Sequence, residues 1–393
     1  MALGILFHAA RMGFAMAVDQ LVSFESCFEI ISDPRVQGRS YHPLNSVLFL
    51  VVAAVISGAD GPVEIEDFGK ERQDWLEQFI DFPHGVPSHD TIGRILSIIK
   101  PAEFQEALLA WLTELRKDSD SDAPIVVPID GKTARGSYTN SQKSNAIHIV
   151  SAWATDHGIT LGQVAVDSKS NEITAVPKLL DMMELEGTIV TLDAMGCQKA
   201  IAKKVIDGGG DYTFAVKDNH PQLAAAVEQA FINAYEEGLV ESGFRSKAVS
   251  EKGHGREELR SYCVASVPES MKTLTKAWPG IKSIGQAVNV TTQGDKETSE
   301  TRYYISSRAP KVTEFSQSVR KHWGIESMHW ILDVVFGEDA SRIRTGHAVE
   351  NMSFTKKFVI SLLKQDTSKT SLKGKRKRAG WNTDFLQKLM FGE

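Results

Sequence analysis

The sequence predicts an α/β protein: a mixed sheet flanked by helices, with a helical N-terminal domain and a β-rich insertion before a Glu-bearing helix. Three observations predict it. The β-branched runs PIVVPIDGK (124–132) and GTIVTLDAMGCQ (187–198) each read as a buried strand that delivers an aspartate, Asp130 or Asp193, at its carboxyl end. Between them, TAVPKLLDMMEL (174–185) reads as the helical crossover that a parallel strand pair requires. In 318–345, SVRKHWGIESMHWILDVVFGEDASRIRT, helical pitch sets His322, Glu326, His329 and Asp333 on one side with Trp323 and Trp330. Ile325, Met328, Ile331, Leu332 and Val335 fall on the other. Such a helix has an apolar back for the core and a front that serves either chemistry or mere solvation.

Residues 1–120 read as a helical accessory domain. Helical patterns run through AVDQLVSFESCFEIIS (17–32), the apolar 43–57, IEDFGKERQDWLEQFI (65–80), the Ser88-capped SHDTIGRILSIIKP (88–101) and AEFQEALLAWLTELRK (102–117). Asp33-Pro34, 58–62 and 83–87 break the pattern. The polar front of 88–94 suits a DNA-binding module, and a scaffold or dimerisation role fits the same pattern. The acidic run DSDSDA (118–123) marks the boundary to the next domain.

Residues 121–217 read as the first part of an α/β core. Gly131 lets the backbone turn away after Asp130. Strands then resume at AIHIVSAWAT (146–155) and ITLGQVAVD (159–167), across the turn Asp156-His157-Gly158. A helix over 197–207 ends at Gly208-Gly209-Gly210, a cap and not a phosphate cradle since no Gly-Lys-Ser/Thr follows. DYTFAVK (211–217) is a further strand. If the strands ending in Asp130 and Asp193 are neighbours, about 4.8 Å apart, their carboxylates can share a metal ion.

The chain changes character over 218–311: a helix (219–236), then the strand-like ELRSYCVASV, KSIGQAVNVTT and ETRYYISSR. Gly253-His254-Gly255-Arg256 is a cationic tip suited to a phosphate, and a plain hairpin turn explains its glycines equally well. Residues 312–366 return to the core with the Glu326 helix and an amphipathic stretch over 337–364. Residues 367–393 are a basic tail, in which KTSLKGKRKR (369–378) reads as a nucleic-acid patch or a disordered arm and FLQKLM (385–390) as a segment that docks back.

With 393 residues, 42% hydrophobic and 24% charged, the composition is that of a soluble globular protein with two or three cores. Cys27, Cys197 and Cys263 form no CxxC pair, so neither a disulfide framework nor a zinc knuckle is expected, and a cytoplasmic location is. No run reaches the roughly 18 to 20 apolar residues of a membrane span, 44–59 coming closest. The opening MALGILFHAARMGFAMA lacks a basic leading region, so no signal peptide is expected and Met16 is the expected start. The net charge of −6 argues against nucleic acid, yet 308–378 holds 15 Lys and Arg against 7 Asp and Glu, a local footprint suited to DNA.

The motifs IDGKTARGS (129–137), HIVSAW (148–153), VDSKSNEITAVPKLL (166–180), TLDAMGCQKAIA (191–202), GHGREELR (253–260), YYISS (303–307) and HWGIESMHWILDVVFGED (322–339) occur in order. On them the chain resembles the H-repeat-associated (ISAs-type) insertion-sequence transposases, from about residue 20 to its C-terminus. That group is similar to the wider DDE transposases. The resemblance implies a ribonuclease-H-like catalytic fold, an insertion that holds DNA near the active site, and Asp130, Asp193 and Glu326 as a metal-binding catalytic triad. The implied partner is double-stranded DNA, as terminal inverted repeats and target, in the bacterial cytoplasm and at the nucleoid when bound. Pairing two DNA ends suits a homodimer.

Phosphodiester cleavage asks a nucleophile to approach an anion and an alkoxide to leave. Two divalent ions meet both needs, and hard Mg²⁺ or Mn²⁺ prefers carboxylate oxygen, which suits three acids without a cysteine. Asp130 is expected to bridge the ions, with Asp193 on one and Glu326 on the other. His322, Arg342, Arg344, Arg256, Lys217 and Lys132 are the expected DNA contacts. Where the wider superfamily sets Tyr, Arg and Lys around the glutamate, this chain has Val319, His322 and Asp333. His322 could donate to a phosphate or the leaving group, but Asp333 cannot stand in for a lysine. Glu326-x-x-His329 also has the spacing of a di-iron pair, but the chain carries no second copy. A domesticated or inactive transposase that binds DNA without cutting is the alternative.

Overall fold

The apolar run nearest to a membrane span is the axis of the helical domain. It forms α1 (Leu44–Ile56), buried without interruption over residues 46–56, because a helix apolar on all sides needs partners on all sides. In this computed structural model, which describes residues 24–36, 38, 40–115, 124–137, 146–166, 172–253 and 255–392, no described helix is long and apolar enough to cross a membrane. The opening 1–16, the acidic run 118–123 and His254, on which the sequence raised expectations, lie outside the described residues. α2 (Pro62–Glu71) packs on α1, and α3 (Gln73–Leu76), α4 (His89–Ile98) and α5 (Pro101–Leu115) share its hydrophobic core. Proline opens α2 where no N–H is needed, and the Ser88 hydroxyl caps α4 by accepting from the Thr91 N–H. Phe24 stacks on Phe28 with centroids 4.1 Å apart and meets Trp111 edge-on at 5.0 Å.

The sheet starts with β1 (Ile125–Thr133), β2 (His148–Ala154) and β3 (Ile159–Val166), an antiparallel run. α6 (Glu172–Leu180) crosses to β4 (Thr188–Leu192), parallel to β1, and α7 (Lys199–Asp207) leads to β5 (Asp211–Val216), parallel to β4. After α8 (Pro221–Glu237) come β6 (Arg245–Gly253), β7 (Arg256–Ser266), α9 (Lys272–Thr275), β8 (Ser283–Gln293) and β9 (Lys296–Ser306). The strand order is β3-β2-β1-β4-β5-β9-β8-β7-β6. The β-rich insertion therefore continues the same sheet, with β9 antiparallel to β5 and Phe214 opposite Ile305. It covers the edge of β5, which would otherwise offer unpaired backbone groups. The sequence did not foretell β6: its side chains are exposed at nearly every position, so backbone pairing to β7 alone makes it a strand.

The stretch around Glu326, expected as one helix, is two: α10 (Val312–His322) and α11 (Gly324–Phe336), joined at Trp323. The joint follows from a close approach. A Cβ on Gly324 would stand 2.5 Å from Thr155 Cγ2, and the Thr155 hydroxyl donates to the Lys321 carbonyl at 2.9 Å. The back of α11 is as patterned, with Ile325, Met328 and Leu332 fully buried and Ile331 and Val335 partly so.

α12 (Ala348–Gln365) ties the two halves together by packing on α4, α5 and β3, and Asn351 donates to the carbonyls of Leu96 and Ile99 at 2.8 and 3.1 Å. The basic run is no disordered arm: it forms α13 (Leu372–Trp381), followed by α14 (Thr383–Phe391). Arg376 is buried, donates to the carbonyls of Val55, Ala59 and Val335, and pairs with Asp60 at 2.8 Å. Buried Lys375 donates to the Leu363 carbonyl. Two cations of the run thus satisfy carbonyls at helix ends, where cations are favoured. The 385–390 segment docks as expected, with Phe385, Leu386, Leu389 and Met390 buried.

Candidate active site

The parallel ladder of β1 and β4 sets Pro128 opposite Thr191, so two steps further on Asp130 falls beside Asp193. Residues two apart share a face, and neighbouring strands lie about 4.8 Å apart, so both carboxylates leave the same edge on the same side. Asp193 Oδ1 accepts the Gly196 N–H at 3.1 Å, which anchors it in the turn after β4. α11 packs across β1 and β2 and carries Glu326 in its first turn. Burial pushes the Asp130 carboxyl up to about 6, the Gly131 N–H opposes that, and the charges of Asp193, Glu172 and Glu326 add to it.

Glu172, at the start of α6, is buried with its Oε1 2.5 Å from His148 Nε2, and His148 Nδ1 is 2.9 Å from the Thr133 hydroxyl. The chain does not turn away after Asp130 as expected: β1 runs on to Thr133 with Gly131 opposite Val150, and glycine is needed there because a Cβ would lie 2.1 Å from His148 Nε2. One turn beyond Glu326, His329 Nδ1 is 3.6 Å from Asp130 Oδ2. Burial pushes His329 down to about 3, with the Lys357 charge adding to the effect, so it is neutral near pH 7. Its Nε2 is buried without a partner among the described residues. The sequence reading passed over His148 and Glu172; the available signals were a histidine opening an apolar strand and an acid opening a helix.

Among the described residues no three His, Cys, Asp or Glu side chains converge tightly enough to cage an ion. The donors fit a hard divalent cation in kind: oxygen only, Asp193 and Glu326 exposed, and Asp130 raised chiefly by burial with neighbouring carboxylates adding to it.

Residues 121–362 match the family model described as "Transposase DDE domain", and 25–112 match "DDE_Tnp_1-associated". The chain belongs to the DDE transposase family. This transposase is 42% identical over 369 residues to "H repeat-associated putative transposase YhhI" of Escherichia coli K12, covering 92% of this chain and 96% of that one. It is 46% identical over 246 residues to "H repeat-associated putative transposase YbfD" of the same strain, 63% of this chain and 95% of that one. It is also 47% identical over 68 residues to "Inactive transposase YbfQ", again of that strain, 17% of this chain and 81% of that one. A piggyBac transposase synaptic complex with hairpin DNA aligns over 96% of this chain and 80% of that chain, at 8% identity and a TM-score of 0.37, too loosely to argue from.

The cations expected to meet DNA divide into two groups in this transposase. Lys132 is engaged inside the protein, 2.8 Å from Asp333, 3.0 Å from Glu338 and 3.1 Å from Asp339. Burial works against its charge, but Glu338, Asp333 and Asp339 outweigh burial and raise its pKa, so it is a structural cation and not the open phosphate contact expected. His322 Nδ1 is 2.8 Å from the Thr191 hydroxyl, and burial, aided by the charge of Arg302, pushes it down to about 4. A neutral ring can donate one hydrogen bond but brings no charge to a phosphate.

Arg342 and Arg344 remain exposed. They share the wall of a groove of about 850 Å³ with Arg94 of α4, and Arg344 Nε donates to the Gly136 carbonyl at 3.3 Å. Lys217 is exposed just after β5, at the same carboxyl edge as Asp193, since Leu192 pairs with Phe214. Arg256 pairs with Glu258 at 2.7 Å near the far tip of the β6–β7 hairpin, away from this edge. Arg302 of β9, which the sequence reading did not single out, feels the charge of Glu326.

Proposed function

We propose that this DDE transposase binds the ends of its insertion sequence and carries out metal-dependent phosphodiester hydrolysis and strand transfer through Asp130, Asp193 and Glu326. One observation supports the reading: Asp130 and Asp193 each lie two residues beyond the last paired positions of the parallel β1–β4 ladder, and buried Asp130 feels the charges of Asp193, Glu172 and Glu326. DDE transposases generally use divalent metal ions, and Asp130, Asp193 and Glu326 are the residues that would hold two Mg²⁺ or Mn²⁺ ions. When bound, such ions activate the attacking hydroxyl and stabilise the leaving oxygen.

The chain's own residues prepare that site. The His148–Glu172 pair buttresses β1 behind Asp130, and neutral His329 leaves the negative charge of Asp130 uncancelled. His322, with Nδ1 toward Thr191, has its other ring nitrogen as a donor for a phosphate or leaving oxygen. Arg342, Arg344 and Lys217 serve the phosphates of double-stranded DNA, as terminal inverted repeat and as target, and Arg256 meets DNA further out. Pairing two ends calls for a homodimer on DNA. The strand order β3-β2-β1-β4-β5, with β2 antiparallel to β1, supports the ribonuclease-H-like description of the core.

The test is excision. The native locus with its flanks is carried on a plasmid, the protein is expressed, and repaired donor junctions are counted beside Glu326→Gln. Junctions that vanish in the variant support a carboxylate transposase working by cut-and-paste. If the wild type gives none and the purified protein still shifts that DNA, nicking in Mn²⁺ decides between a copying enzyme and an inactive relic that only binds.

A further inference from the structure

The helix that carries Glu326 brings no cation of its own to the face beside it. His322 is neutral and bonded to Thr191, and Asp333 is an acid held by Lys132. A DNA strand led to three carboxylates needs positive charge near its phosphates, or the approach is repulsive. The insertion delivers that charge from another part of the chain. Arg302 of β9 has its guanidinium carbon 5.5 Å from the ring centroid of Trp323, the residue that joins α10 to α11 three positions before Glu326. Its charge is felt at both Glu326 and His322.

The side chain is oriented and still open. Arg302 Nε donates to Glu300 at 2.8 Å, the indole lies against the fork, and 40% of the side chain is exposed. Glu300 is 54% exposed, so this pair is weak and leaves the fork's charge available. The neighbouring arginines differ: Arg260 is buried and held by Glu251 and Glu258, and Arg320 pairs with Glu251 at 2.9 Å. Trp323, Arg260 and Asn289 line the small cavity beside Arg302, and their Nε1, Nε and Oδ1 atoms are buried without partners among the described residues.

We propose that Arg302 grips a backbone phosphate of the strand being cut and sets that strand against Glu326, so that the insertion supplies the cation missing from the glutamate's own helix. A guanidinium fork suits a phosphate bidentately, and stacking on Trp323 fixes its plane in advance. This rests on the transposase reading above.

The test uses the full chain and a labelled duplex spanning one junction of the native locus with its flank. Binding is measured against salt and cleavage in Mn²⁺ against DNA concentration, for wild type, Arg302→Gln, Arg302→Lys and Glu326→Gln. Arg302→Gln is expected to flatten the slope of log affinity against log salt by about 0.9, one phosphate contact, and to lower cleavage at saturating DNA at least tenfold. Arg302→Lys is expected to restore the slope but not the rate, because lysine has charge without the fork. An unchanged slope and rate in Arg302→Gln overturns the proposal. If that variant melts early, Arg302→Lys decides: a wild-type rate overturns the fork's role, and a tenfold loss with normal melting supports it. Wild-type cleavage that Glu326→Gln abolishes keeps the transposase reading whatever Arg302 does. Failure of the wild type to cut sinks that reading alone, since the salt slope still tests Arg302.

Discussion

Two groups of acids lie close together in this fold and are treated in opposite ways. Asp333, Glu338 and Asp339 converge on Lys132, and Glu338, though burial opposes its charge, is held below the usual range by Lys357 and Lys132. Asp130 instead meets the neutral His329 and the charges of three more carboxylates. The first group is held by lysines of the protein, whereas Asp130 has no Lys or Arg ion pair among the described residues. Glu326, Asp333, Glu338 and Asp339 follow one another within a single short stretch of chain, so local charge pattern does not separate the two roles. Their partners do.

Substitutions should therefore act in opposite senses. The largest effect is expected from Asp193→Asn: Mn²⁺-dependent cleavage of end DNA falls at least about a thousandfold, roughly 4 kcal/mol of barrier, with melting unchanged. Residual cleavage near the wild-type rate would erase the distinction between the groups. In the lysine-held group, Glu338→Ala leaves Lys132 and Lys357 buried without their common anion. Urea unfolding of the metal-free protein should register a loss of about 3 to 5 kcal/mol, and a loss under 1 kcal/mol would mean the network is not holding the fold.

The histidines sharpen the comparison through pH. His322 has a folded pKa of about 4, below its unfolded value, so its contribution is complete above about pH 6.5 and is lost as pH falls toward 4. The loss should reach on the order of 3 kcal/mol, and unfolding curves of His322→Gln should be flatter than wild type over that interval. Asp130 has the opposite sign. Its folded pKa of about 6 lies above the unfolded value, so its contribution is present below about pH 4 and is lost as pH rises through 6. Asp130→Asn should then stabilise the metal-free protein by about 1 to 3 kcal/mol at pH 8 and by nothing near pH 4. Equal melting of variant and wild type at pH 8 would show that Asp130 is not crowded. Added Mn²⁺ should raise the wild-type melting temperature at pH 8 and leave that of Asp130→Asn nearly unmoved.

Much of the site is legible in the sequence because its signals are local. A β-branched run leading to an aspartate marks β1 and β4, although β1 runs on past Asp130 to Thr133; the helical stretch between them marks a parallel crossover, and the apolar spacing in α11 marks which side faces the core. β6 escapes because a strand with exposed side chains has no alternation to read. The break at Trp323 escapes because it depends on Gly324 meeting Thr155, a residue of a distant strand connection. Lys132 misleads because its position two residues after Asp130 says nothing of Asp339, 207 residues further on. Arg376 misleads in the same way, since a basic run looks solvated until its partners at Val55, Ala59 and Asp60 are known.

The sequence by itself determined the two strands that carry Asp130 and lead to Asp193, the glutamate-bearing helix with its apolar back, and the β-rich character of the insertion, because periodicity and composition act within a few residues. Only the tertiary structure decided that the insertion extends the catalytic sheet, that Lys132 is closed and Arg302 open, and that His322 is neutral. Those outcomes depend on which backbone edges and charges from distant segments are gathered at one place, and on how much water is left between them.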